Sequence, residues 1–294
     1  MTRTTRTTRS RRAGVLAAVA VAAALLAGCT SAPAPAETTE PAASGELPFA
    51  AGSIAALGDS ISVGVAACGQ NKPCPSASWT TGEDETVDSV ARRAGESVGA
   101  VPEIENVASK GATSAELPGQ AEKAVAAAPD LVTVLIGAND VCRKNSADIT
   151  TPDAFRANVT TALSTLSTGA PEATIFVSSV PNLLDFFETE RGDAEAVSRW
   201  AGSSNCNSLL YQPTSDDADA QARRDNVSTT IDAYNDVLAD VCGATAHCVY
   251  DQGALHDFDV TSDDISDVDH FHPSLAGQAK LADIAWTALL ANAA

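Results

Sequence analysis

Basic side chains are scarce in this 294-residue chain: 18 Lys and Arg stand against 38 Asp and Glu, a formal charge of −20. A chain this acidic repels phosphate backbones and anionic head groups, which argues against nucleic acid as a partner. Histidine is scarcer still, at four residues, and two of them share one short stretch, DHFHPS (269–274). No Cys-x-x-Cys spacing occurs among the seven cysteines, so they do not read as a zinc site. No apolar run reaches the ~20 residues of a membrane span. The longest, AGVLAAVAVAAALLA (13–27), has 15. Internal repeats are lacking, and so is a second low-complexity linker.

What is present begins with a leader. Arg3, Arg6, Arg9, Arg11 and Arg12 precede the apolar run without an intervening acid, the pattern of a signal peptide. The run ends in LAGC (26–29), which resembles the bacterial lipobox. That resemblance implies cleavage before Cys29 and acylation there, and several acyl chains on one residue anchor far better than one. SRRAG (10–14) leaves twin-arginine export open. The Pro-, Ala-, Thr- and Ser-rich segment that follows cannot bury enough apolar surface to offset its chain entropy, and reads as a tether. The expected organisation is a signal peptide over 1–28, lipidated Cys29 and tether to residue 50, and one domain over 51–294. Without the leader's five arginines, 13 basic residues face 38 acidic ones, a formal charge of −25 that solubility alone accounts for. The expected location is extracytoplasmic, anchored through Cys29 or partly released, and the expected state is a monomer. Six further cysteines, an even set in an exported chain, read as disulfides with fifteen possible pairings. Sequence proximity favours Cys68–Cys74 and Cys242–Cys248, which leaves Cys142–Cys206.

From residue 51 onward, short apolar runs alternate with helical patterns. SIAAL (53–57), EIENVA (103–108), LVTVLIG (131–137), ATIFVSSV (173–180) and HCVYD (247–251) read as strands, the third and fourth buried on both faces. Helices are expected over about 84–98, 151–168, 225–242 and 273–293. The alternation predicts an α/β domain with a mainly parallel sheet. Such sheets hold ligands beyond the carboxyl ends of their strands, and polar residues gather at those ends here.

Ser60 follows Gly58-Asp59 at the first strand's end, where a helix expected to start would direct its N–H toward a developing negative charge. Gly111, in NVASKGATS, can open its N–H to a ligand, and Asn139, in GAND, offers an uncharged side-chain donor. Asp269 stands three residues before His272, and Pro273 disfavours helical geometry at His272. The acid can then hold one ring nitrogen and leave the other as a base. Read singly, these could be a helix cap, a turn glycine, an Asx turn and an acidic loop. In this order they resemble the SGNH (GDSL) hydrolase family, and within it the secreted, disulfide-containing actinobacterial esterases and lipases.

The four blocks are GDS with Ser60, the glycine block with Gly111, GAND with Asn139, and DHFH with Asp269 and His272, within a resemblance covering about 53–292. It implies a three-layer α/β/α sandwich with Ser60 as nucleophile, His272 as base and Asp269 as its orienter. The oxyanion would be held by the N–H groups of Ser60 and Gly111 and the Asn139 side chain. It also implies the three neighbour-to-neighbour disulfides above. No cofactor is called for, and the partner is a small-molecule or lipid ester. The departures lie in 69–86 and 185–224, which leave the acyl and alcohol pockets unassigned.

Rival readings are weaker. GESVG (95–99) matches the Gly-x-Ser-x-Gly elbow, but Ser97 ends a helical pattern instead of following a strand, and Gly99 reads as a helix-terminal glycine. His270 and His272 supply two ligands where a catalytic zinc uses three. Asp257, Asp259, Asp263 and Asp264 lack the glycine and glutamate of a calcium loop and read as a solvated acidic turn, with His270 either a neighbour lining the site or without a role. An acyltransferase would share the acyl-enzyme, and a non-catalytic binding lipoprotein would have lost at least one of these residue types. Activity is expected to fall in acid, where a protonated imidazole cannot act as the base.

Overall fold

The computed structural model describes residues 51–292. The segments expected as signal peptide and tether, with Cys29 between them, lie outside the described residues. Five strands form one all-parallel sheet in the order β2-β1-β3-β4-β5. They are β1 (Ser53–Gly58), β2 (Glu103–Asn106), β3 (Leu131–Leu135), β4 (Thr174–Val177) and β5 (Cys248–Tyr250). The α-helices among the described residues are α1 (Val90–Val98), α2 (Leu117–Ala126), α3 (Ala138–Val141), α4 (Pro152–Gly169), α5 (Leu183–Glu190), α6 (Ala194–Ala201), α7 (Asn207–Leu210), α8 (Ala218–Gly243) and α9 (Leu275–Asn292).

Strand alternation divides the core in two. Leu131 and Leu135 of β3 join Ile54, Phe176 and Val249 against α1 and α9, where Val90, Ala94, Leu281, Ala285 and Leu289 are buried. Val132 and Val134 face the other way, with Leu57, Ile175 and Val177, onto Leu117, Phe155, Val159, Ile231 and Tyr234 of α2, α4 and α8. Every residue of β3 is buried, as its unbroken apolar run requires between two helical layers. At the sheet edge, β2 exposes Glu103 and Glu105, charges that blunt an edge against further pairing.

Several boundaries differ from the sequence reading. The helix placed at 84–98 begins at Val90, where Ser89 Oγ accepts the Arg92 N–H at 3.2 Å; before it, Asp84 Oδ1 holds a turn by accepting the Thr86 N–H at 2.8 Å. The strands end at Leu135 and Val177, short of 137 and 180, because Gly137 turns to φ +127° and the Asn235 side chain takes the Val180 N–H at 2.7 Å. Helix α2 has no counterpart in the sequence reading. Pro118 and Gly119 look like turn residues, yet proline is tolerated in a first turn, where its missing N–H is not needed. Pro273 does not start the last helix. It bridges Ile265, and Ser274 accepts the Gly277 N–H at 3.1 Å as the helix begins at Leu275.

Three disulfides tie the connections: Cys68–Cys74 after β1, Cys142–Cys206 between the end of α3 and the start of α7, and Cys242–Cys248 between α8 and β5.

Candidate active site

The carboxyl ends of the strands bring Ser60, Asn139 and His272 to one cleft. Gly58 makes the exit from β1 possible. Its φ is +141°, and a Cβ there would lie 2.3 Å from the Leu135 carbonyl oxygen. Gln120 of α2 clamps the same glycine, accepting its N–H at 2.7 Å and donating to its carbonyl at 2.9 Å. The helix expected to start at Ser60 does not form. Residues 60–68 run as successive turns, with Val65 N–H donating to Ser60 O, because Ile61, Val63 and Val65 are β-branched and Gly64 sits at φ +62°.

Ser60 Oγ lies 2.9 Å from His272 Nε2, and His272 Nδ1 lies 2.7 Å from Asp269 Oδ2. The second Asp269 oxygen accepts the N–H groups of Phe271 and His272, so one carboxylate both shapes the loop and holds the ring. Burial by itself would raise the Asp269 pKa; the His272 bond, the His272 charge and these two N–H groups outweigh it and keep the carboxyl below its usual range. Residue 71, in the unassigned segment 69–86, reaches the same acid: Asn71 Nδ2 donates to Asp269 at 3.4 Å, and Lys110 donates to Asn71 at 2.6 Å.

Among the described residues, neither the Ser60 nor the Gly111 N–H donates to a protein acceptor. Gly111 sits at φ +83° with open space where a Cβ would be, so backbone conformation, more than crowding, calls for glycine there. Asn139 Nδ2 donates to Ala112 O at 3.0 Å and to Asp59 Oδ2 at 3.3 Å. Its neighbour Asp140 is buried and accepts both the N–H and the hydroxyl of Ser114, at 2.8 and 2.7 Å. That clamp ties the Gly111 loop to α3. Gln120, Asn71 and Asp140 were not singled out from the sequence; Asp140 alone carried a signal, its place beside Asn139 in GAND.

The other sequence candidates separate clearly. Ser97 lies near the end of α1 and donates to Ala94 O, with Gly99 closing the helix in the left-handed region. His270 does not line the cleft: it is buried and points to Glu190. The acidic turn before it is only partly solvated, because Asp264 is buried, accepts from Thr261 and pairs with Lys280 at 2.9 Å.

Asp59 is wholly buried, and burial pushes its carboxyl up to about 7 against the opposing pull of the Ile61 N–H, His272 and Asn139. The unfolded chain ionises near 3.8, so between that value and about 7 it holds fewer protons than the fold. Stability contributed by the neutral carboxyl is complete below that window and is lost as pH rises through it. Replacing Asp59 by Asn, which does not titrate, removes this dependence. Urea unfolding from pH 3.5 to 8 will find the variant gaining on wild type between about 4 and 7 and level above that window. A difference that does not vary with pH would refute the buried titration.

Among solved structures, the fold is similar to a protein from Parabacteroides merdae ATCC 43184 described as a GDSL-like lipase, at 17% identity and TM-score 0.50, over 83% of this chain and 99% of that one. It is also similar to LAE5, an alpha/beta hydrolase enzyme from the metagenome of Lake Arreo, Spain, at 21% identity and TM-score 0.50, over 82% and 96% of the two chains. At such identities the likeness speaks to fold alone. No curated protein matches the sequence. The model of the GDSL-like lipase/acylhydrolase family matches residues 56–280, a span that takes in Ser60, Gly111, Asn139, Asp269 and His272, and the chain belongs to that family.

Proposed function

We propose that this protein is an exported serine ester hydrolase that cleaves carboxylic esters through an acyl-enzyme on Ser60. The observation that carries the reading is the relay from Ser60 Oγ to His272 Nε2 and from Nδ1 to Asp269, built from residues 212 positions apart. His272 takes the Ser60 proton as Oγ attacks the ester carbonyl. The oxyanion forms among the N–H groups of Ser60 and Gly111 and the Asn139 amide, which gives up its longer bond, the one to Asp59. Collapse of the intermediate expels the alkoxide, which receives the proton from His272. Water then gives a proton to His272, attacks the acyl-enzyme and releases the acid while Ser60 recovers its proton.

Export is supported by the leader pattern and by three disulfides, which persist in oxidising compartments. Residues 1–28 act as signal peptide, acylated Cys29 as membrane anchor and the segment to residue 50 as tether, leaving the domain to begin just ahead of β1.

The test is turnover of short p-nitrophenyl esters together with labelling by a serine-reactive fluorophosphonate, with and without a competing alcohol. Free acid as the main product and stoichiometric labelling are expected. Ester formed on the added alcohol as the main product would reassign the protein as an acyltransferase, and absence of both turnover and labelling would sink the enzyme reading.

A further inference from the structure

The cleft at Ser60 is narrow and partly open to solvent, with a cavity volume of about 20 Å³. That is far below the roughly 300–1,000 Å³ of a pocket that takes up a drug-sized ligand, so the cleft as it stands has room for short chains only. Pro181, Leu183, Phe186 and Phe271 form its apolar wall, two of them from α5.

Both ends of α5 are fixed. At its start, Asn182 accepts the Leu184 N–H at 3.1 Å, and Asn235 holds Val180 through both backbone groups, at 2.7 and 3.2 Å. At its end, Glu190 Oε2 lies 2.8 Å from His270 Nδ1, and both side chains are 8% exposed. A carboxylate and an imidazole withdrawn from water this far depend on each other for a polar partner. His270 Nε2 is also buried and has no other partner among the described residues, so Glu190 provides the ring's one hydrogen bond. The backbone of His270 stands at φ +54°, and its N–H reaches Ser266 O at 2.8 Å. The loop therefore sends two imidazoles to different partners: His272 to the nucleophile, His270 to the helix that walls the cleft.

Resting on the hydrolase reading, we propose that the buried His270–Glu190 pair latches α5 to the catalytic loop and thereby limits the acyl group to short chains. His270 and Glu190 are positioning residues; they touch no reacting atom. With the latch closed, Leu183 and Phe186 block any chain that would extend past the first carbons. With it open, α5 can move and admit longer ones.

The experiment is kcat/KM across p-nitrophenyl esters from acetate to decanoate, for wild type, Glu190→Ala, His270→Asn and Glu190→Gln. Asn tolerates a positive φ but is too short to reach Glu190. Gln keeps the shape and an acceptor oxygen. Wild type is expected to favour acetate over octanoate at least ten-fold. Glu190→Ala and His270→Asn should lower that ratio at least ten-fold, while Glu190→Gln keeps it. A loss shared equally by every ester would mark a merely structural pair and overturn the proposal. So would wild type favouring octanoate, with the hydrolase reading left intact. Should both latch-breaking variants fail to fold, Phe186→Ala in the latched protein decides: a shift toward longer esters supports the wall, and an unchanged ratio overturns it. No turnover of any ester and no fluorophosphonate labelling would instead count against the hydrolase reading.

Discussion

Ser60→Ala will lower turnover of p-nitrophenyl esters by roughly 10⁴- to 10⁶-fold and abolish fluorophosphonate labelling, while the protein remains folded. The substitution deletes one hydroxyl and its 2.9 Å contact with His272 Nε2, leaving the backbone that β1 and Gln120 place. A hydroxyl bond of this kind contributes about 1 kcal/mol net, so the thermal transition should move by only a few degrees. His272 keeps its bond to Asp269, and the proposed donors stay where they are, so residual activity above the uncatalysed rate is expected. Ser97→Ala is the control, because its hydroxyl only closes back onto Ala94 O. Ser60→Ala retaining wild-type turnover would remove Ser60 as nucleophile, and Ser97→Ala losing activity would restore the Gly-x-Ser-x-Gly reading.

Asp269→Asn will cost about 10⁴ in kcat with little change in KM. The asparagine oxygen can still accept the Phe271 and His272 N–H groups that now bond Oδ1, so the loop keeps its shape. The change falls on Oδ2, where an amide NH₂ would meet His272 Nδ1. The ring must then present a bare Nδ1 and carry its proton on Nε2, the nitrogen that has to accept from Ser60. Geometry survives and proton transfer fails. Because the Asp269 carboxyl is held below the usual range, it stays ionised wherever the enzyme would be assayed. Any stability it contributes is complete above the ordinary carboxylate value and is lost only as pH falls below it. Steady-state kinetics of the variant checks this, and a loss confined to KM would show that Asp269 serves substrate binding instead.

The parts of this protein that sequence exposes are those governed by local rules. Buried parallel strands need unbroken β-branched and apolar runs, so LVTVL and TIFV announce themselves. Ser60, Gly111, Asn139, Asp269 and His272 are legible because each closes a strand or loop in a fixed order, and the Asp269–His272 bond is local, spanning three residues. Boundaries set by side chains from elsewhere were not legible. Asn235 ends the strand at Val177 from 55 residues beyond Val180, and no pattern near Val180 encodes it. Helix α2 was hidden because its Pro118 and Gly119 are turn residues by composition, while its place is decided by packing against β1 and α4.

His270 and Asp264 mark the same divide from the other side. In the sequence Asp264 belongs to a run of acids that reads as solvated, and His270 has no partner in view, because composition carries no record of which side of a turn meets the core. The fold buries Asp264 against Lys280 and His270 against Glu190, a residue 80 positions away in a segment whose role no motif announced. By itself the sequence determined an α/β domain, a leader pattern and the identities of a hydroxyl, an imidazole and its acid. Tertiary structure alone decided that Ser60 and His272 stand 2.9 Å apart, that Asp59 is sealed from water, and that α5 closes on the cleft. The reason is physical: local propensity and periodicity act over a few residues, whereas burial and long-range hydrogen bonds exist only once distant segments share one interior.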